Sequence, residues 1–246
     1  MSLPLINRAV FENARELIIE IQFGEGGQDS KLFVNDLMSA YIKYGTSLGF
    51  QVETLTSEVG HSILKFIGKG VWNAFQHEPG KHCVQRVPPT ERGGRRQTSM
   101  ISVAVLPLPP ENREAPLREQ DLEVICQTGK QKAGGQNTNK VASAVRMKHK
   151  PTGLSVFING RDQGQNKKEA LRILTARVNK LKRDKEMSSY KDNRKCQLGN
   201  GGRGDKVRTY NFIRGDVTDH RLNTQTTNIK EVMKGNLNLV LEGERE

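Results

Sequence analysis

Apolar positions in this chain fall first into a strand pattern and then into a helical one. The run "ELIIEIQF" at 16–23 is strand-like, and the Gly-rich turn after it leads into "DSKLFVNDLMSAYIKYGTSLGF", where Phe33, Leu37, Tyr41, Tyr44 and Leu48 recur at helical spacing. Asp29 or Ser30 can cap the start of that helix and Gly49 can stop its end. The stretch "QVETLTSEVGHSILKFIG" then predicts two short strands around a turn at Gly60. A second pair, "KHCVQRV" and "TSMISVAVLP", flanks "PPTERGGRRQ", whose Pro, Gly and Arg content predicts an exposed loop.

Residues 107–121, "PLPPENREAPLREQD", hold four prolines among charged residues and read as a linker, because proline resists both helix and central strand. A new domain is expected to begin near Leu117. It would contain strand "LEVICQT", a Gly-Gly-Gln loop, strand "SAVRMKHK", a turn at Pro151 to Gly153, strand "LSVFING" and a helix from about Lys167 to Lys185. On that helix Leu171, Leu174, Val178 and Leu181 form one apolar stripe, read as core packing. "CQLGNGGRGDKVRTYNF" is expected to be a flexible return, followed by "RGDVTDHRLN" and one last helix, "NIKEVMKGNLNLVLE". The pattern is that of an α+β protein.

At 246 residues the chain is long enough for two domains with their own cores. No apolar stretch approaches the roughly 20 residues of a membrane helix, and the N-terminus lacks a signal-peptide apolar region, so a cytoplasmic location is expected. Cys83, Cys126 and Cys196 are three and lie far apart, which argues against a disulfide framework and against clustered zinc thiolates and predicts reduced structural cysteines. The net charge of +12 is unevenly spread. From Lys130 to Arg214 there are 22 Lys plus Arg against 6 Asp plus Glu, and elsewhere 17 against 21. Gly129 to Gly160 is free of acids. A basic face of this kind points to nucleic acid, because each neutralised phosphate releases counterions.

Gly-Gly-Gln occurs twice. Gly26-Gly27-Gln28 lies between a strand and a helix, where glycines make the turn. Gly134-Gly135-Gln136 is flanked by Lys130, Lys132 and Lys140 and followed by Asn137, Thr138 and Asn139. It is either an ordinary turn or a basic loop able to carry an unusual backbone path against RNA. "GNGGRG" at 199–204 fits the dinucleotide pattern letter for letter but in the wrong context, and reads as a hinge. His77, His82 and Cys83 lack zinc-type spacing, and Asp219-His220 lacks a nucleophile setting, so both groups are read as structural. No metal site and no cofactor are expected.

Four segments, "GGQDSKLFVNDLMSAY", "HCVQRVPPTERGGRRQTS", "KAGGQNTNKVASAVRMKHKPTG" and "GDKVRTYNFIRGDVTDHRLN", stand in an order that resembles the bacterial-type class I peptide chain release factors, from about Glu16 to Glu242. The resemblance implies a codon-reading superdomain built from 17–112 and 203–242, with a domain of 117–195 inserted between. A short segment, 1–16, would stand where the family has about 100 residues of helical domain. Linkers near 107–116 and 196–206 would act as hinges. It further implies that Gly134, Gly135 and Gln136 promote attack of water on peptidyl-tRNA, with Lys130, Lys132, Asn137, Lys140 and Arg146 on rRNA or tRNA. Pro88-Pro89-Thr90 matches the tripeptide of factors reading UAA and UAG, and Gly26, Asp29, Gln97 and Thr98 match other codon-side positions. Asp29 replaces the family's usual Glu and Gln97 its usual His. "GRRQTS" is also similar to the sister factor reading UAA and UGA. The implied partners are the ribosome, the stop codon of mRNA, P-site peptidyl-tRNA and a glutamine methyltransferase acting on Gln136. The protein would be a monomer, ribosome-dependent rather than a stand-alone enzyme. Rival readings are a codon-independent rescue hydrolase and a non-catalytic ribosome-binding module.

Overall fold

The computed structural model describes residues 14–108, 115–128, 142–198, 206–242 and 244–245. The chain groups into two units, Met1–Pro109 with Tyr190–Glu246, and Pro110–Ser189. The first unit opens with β1 (Glu16–Phe23), α1 (Gly27–Ser47), β2 (Gln51–Glu58), β3 (His61–Ile67), α2 (Val71–Phe75), β4 (Gly80–Arg86) and β5 (Gln97–Pro107). Next come β6 (Leu122–Gln127), β7 (Ala144–His149), β8 (Ser155–Ile158) and α3 (Gln163–Leu198). The chain ends with β9 (Lys206–Asn211), β10 (Asp216–Asp219), β11 (Thr224–Thr226), α4 (Ile229–Met233), α5 (Asn238–Leu241) and β12 (Glu244–Arg245).

Among the described residues, the first unit carries a nine-stranded sheet in the order β12-β11-β10-β9-β4-β5-β1-β3-β2. Along β1 the side chains alternate, and Leu17, Ile19 and Ile21 are fully buried in one cluster with Phe33, Leu37 and Tyr41 of α1. Leu48 departs from the expected stripe and is 41% exposed, because α1 ends at Ser47. Gly49, at φ +79°, stops the helix as expected: its N–H bonds Thr46 O at 3.0 Å and the Phe50 N–H bonds Gly45 O at 3.0 Å. At the other end neither Asp29 nor Ser30 is the cap. Gly26 is, at φ +115°, while the Ser30 hydroxyl donates to Gly27 O at 2.7 Å.

The central pair β4 and β9 is parallel. A parallel neighbour requires a long crossover. Here the crossover contains β5 and the whole second unit. The expected last helix is two, α4 and α5. Gly235 between them sits at φ +106°, and a Cβ there would lie 2.9 Å from the Tyr44 backbone N. The close approach to α1 breaks the helix.

In the second unit β6, β7 and β8 form an antiparallel sheet backed by α3. The buried stripe is Ala170, Leu174 and Val178, spaced by four, and Leu171 lies off it at 40% exposure. The helix is also longer than expected and its last turns group with the first unit. Arg194 donates Nε and Nη2 to Glu20 at 2.6 and 2.8 Å. Burial opposes ionisation of Glu20, yet Arg194 and then His61 hold its carboxyl down to about 2. The Gln197 amide accepts the Val105 N–H at 2.6 Å and donates to Val105 O at 2.9 Å. Pairing of β4 to β5 ends at Val103, so this amide stands in for strand that is missing beyond it. Of the cysteines, only Cys83 is buried.

Beneath the sheet Arg208 is fully buried and meets two carboxylates, Glu78 at 2.8 Å and Asp219 at 3.0 Å. Tyr41 donates to Glu78 at 2.6 Å, and His82 places Nε2 2.8 Å from Glu78 O. His82 and Asp219 are thus structural, as their settings in the sequence implied. Desolvation favours neutral imidazole, Glu78 opposes and Arg208 adds to the effect, so His82 is lowered to about 4. Its unfolded value is higher, so neutral His82 contributes stability fully present above pH ~6.5, lost as pH falls toward 4. The loss is on the order of 3 kcal/mol, from about 1.4 kcal/mol per unit. Chemical denaturation at pH 7.0 and 4.8 is expected to show much of that decline, and a His82→Phe variant should flatten it over this window. Glu20 contributes little there, because its ordinary value of 4.5 and its folded value of about 2 both lie below pH 4.8.

Candidate functional site

The loop joining β4 to β5 buries Pro88 and exposes Pro89 and Thr90. A turn forms where the Glu91 N–H bonds Pro88 O at 3.0 Å. Glu91 then accepts the Gly93 N–H at 2.9 Å and the Gln97 side-chain amide at 3.1 Å. Gln97 is therefore tethered to its own loop rather than presented as a loose stacking group.

The tip of α1 is bound to the start of the same hairpin. Gly24 donates its N–H to Met100 O at 2.8 Å, and Met100 returns its own to Glu25 O at 2.6 Å. Gly26 is exposed but packed from behind, since a Cβ on it would fall 2.4 Å from the Ser99 hydroxyl. Glycine is required there by both sterics and φ. Asp29 is turned inward. It is 1% exposed, accepting Arg86 Nε at 2.7 Å and the Ser99 hydroxyl at 2.8 Å. Arg86 also donates Nη1 to Asp36 at 2.8 Å and stands 5.6 Å over the rings of Phe33 and Phe212. The short carboxylate points inward, at the positive end of the helix, and ties the tip to β4 and β5.

Pairing registers place three polar residues side by side on three strands. Thr98 of β5 faces Gln85 of β4, and Gln85 faces Asn211 of β9. With Arg96, Gln97, Ile213 and Arg214 they line an open cleft of about 430 Å³. Thr98 also lines a smaller hollow of about 200 Å³, with Glu25, Cys83, Met100 and Lys206. Sequence reasoning selected Gln97 and Thr98 but missed Gln85, Asn211 and Arg214. Nothing local marks the last two, because they reach the cleft only through the parallel pairing of β9.

On the second unit, Arg146 is exposed on β7 with its guanidinium 5.8 Å from the ring of Phe157. In register it is flanked by Ile125 and Phe157, which are 41% and 44% exposed. Gly134, Gly135 and Gln136, with Lys130, Lys132, Asn137 and Lys140, lie outside the described residues, as does the expected hinge at 199–204. No helix among the described residues is long and apolar enough to cross a membrane.

Residues 5–103 match the PCRF domain and residues 111–221 the RF-1 domain. Over 241 residues the chain is 40% identical to peptide chain release factor 1 of Paracidovorax citrulli, covering 95% of this chain and 67% of the relative. The relative from Borreliella afzelii, of the same name, is 40% identical over 239 residues, covering 94% and 66%. The chain thus spans about two thirds of the length of these relatives. A solved structure described as RF2 of Thermus thermophilus superposes with a TM-score of 0.53 at 29% identity, covering 94% of this chain and 68% of that one. Likeness that runs through both units and through every segment quoted above means that this chain belongs to the peptide chain release factor family.

Proposed function

We propose that the protein binds the ribosomal A site, reads a stop codon with its first unit and promotes hydrolysis of peptidyl-tRNA with the loop at Gly134-Gly135-Gln136. The observation that carries this reading is the single likeness to peptide chain release factor 1 that covers 95% of the chain, so that it takes in both the Pro88-Pro89-Thr90 loop and the Gly-Gly-Gln loop. Exposed Thr90 is available to hydrogen-bond codon bases, and Thr98 and Gln97 stand at the cleft beside it in the chain. Gly26 supplies a tip without a side chain. On the reaction side, the backbone N–H of Gln136 would stabilise charge on the departing oxygen. Its side chain, a candidate for amide methylation, would size the pocket for water.

The test is peptide release from reconstituted ribosomes programmed with UAA, UAG, UGA or a sense codon. Release on UAA and UAG, well above UGA and the sense codon, is expected. Equal release on the sense codon would replace this reading with codon-independent rescue, and no release at saturating protein with binding retained would leave a ribosome-binding module.

A further inference from the structure

We infer that Arg96 and Arg214 form a two-point clamp for an RNA phosphodiester across the cleft that Gln85, Thr98 and Asn211 floor; this rests on the codon-reading role proposed above. Three features of the cleft converge. Among the described residues, those lining the cleft include two arginines and no carboxylate. Between the arginines runs a row of amide and hydroxyl groups across three strands. Among the described residues, the side chains of Gln85 and Thr98 have no hydrogen-bond partner, leaving donors and acceptors open to a base or ribose.

Arg214 is also built into place. Asn211 Oδ1 accepts the N–H groups of Ile213 and Arg214, both at 3.1 Å, which turns the chain so that Arg214 stands at the cleft. Its Nη2 bonds Asp216 at 2.8 Å, while the side chain remains 69% exposed. Asp216 is itself held by Gln225 at 2.7 Å, so it steadies the guanidinium from one edge and leaves the other edge free for a phosphate oxygen. Arg96 is exposed at the foot of β5. The nearest acid in sequence, Glu91, is occupied by Gln97 and the Gly93 N–H. A planar guanidinium pair suits phosphate, and polar groups between the two suit the nucleotide it joins.

The phosphodiester could belong to mRNA or to ribosomal RNA, and the experiment separates them. The concentration for half-maximal release on UAA-programmed ribosomes is measured against salt for the parent protein, Arg96→Gln, Arg214→Gln and the double variant, with Lys234→Gln as an exposed control outside the cleft. The double variant is expected to reduce the slope of log affinity against log salt by about 0.7, one phosphate contact being lost, and to raise the half-maximal concentration about tenfold, with each single variant between it and the parent. Melting of each variant checks that the fold is retained. If an mRNA with methylphosphonate linkages at the codon weakens the parent but not the double variant, the phosphate is on mRNA. If the double variant's defect is the same on neutral and ordinary mRNA, it is on ribosomal RNA. Slopes and half-maximal concentrations equal to the parent's would overturn the clamp while leaving release intact. A parent protein that neither binds nor releases would overturn the functional reading itself, and the clamp with it.

Discussion

Replacing Gln136 by proline is expected to lower the rate of peptide release on UAA-programmed ribosomes by about 10²–10³-fold, the range found when one donor is taken from an oxyanion-type site. The reason is specific to the backbone. Proline removes the one N–H that the proposed mechanism places at the departing tRNA oxygen, and charge that develops there in the transition state then goes unmatched. Gln136→Ala keeps that N–H and removes only the side chain. It should retain most release by water but admit larger nucleophiles, because the pocket widens. Gly135→Ala should act like the proline variant if the loop needs a glycine-only backbone. Single-turnover release measured at saturating factor, together with the half-maximal concentration, separates the chemical step from binding. A proline variant that releases at the parental rate would refute the role assigned to the N–H.

Replacing Arg208 by methionine is expected to cost about 3–5 kcal/mol, the usual consequence of removing one partner from a buried ionic group. Arg208 is the only cation that Glu78 and Asp219 contact among the described side-chain pairs, and all three have 0% exposure. Burial works against the guanidinium, but Glu78 and the other acids around it push its pKa well above the ordinary value. Without it, two carboxylates face each other in the core. The effect should be large against a typical total stability of about 5–15 kcal/mol. It should also be local to the first unit, since Glu78 precedes β4, Arg208 lies on β9 and Asp219 ends β10. Urea denaturation followed by the fluorescence of Trp72, buried in the same core, would report it. Asp219 also accepts the N–H groups of Arg221 and Leu222, each at 3.0 Å, so Asp219→Asn should be milder than Arg208→Met because the turn is kept. A loss under 1 kcal/mol in the methionine variant would mean that the three groups do not act as one network.

Several features were legible in the residues because their causes are local. The alternation in β1, the helical spacing from Phe33 to Tyr44, the left-handed stop at Gly49 and the hairpin around Gly60 each depend on neighbours a few positions away. So does the basic character of Lys130 to Arg214, which no folding can alter. The four quoted segments were enough to indicate the family. What was misjudged depended on packing. The apolar stripe of α3 is shifted to Ala170, which is buried in one cluster with Val145, Met147 and Val156 of the sheet, while Leu171 is 40% exposed. The last helix breaks at Gly235 because α1 crowds it.

The residue chain alone determined elements, charge and kinship, since propensity, periodicity and side-chain ionisation are carried by short stretches. Tertiary structure decided which way Asp29 points, that Gln97 is tethered to Glu91, and that Asn211 and Arg214 stand beside Thr98. The last of these hangs on one parallel pairing, β4 with β9, between strands separated by an entire inserted unit. A contact of that kind is chosen by the global minimum of buried surface and satisfied hydrogen bonds, which no local window of residues contains.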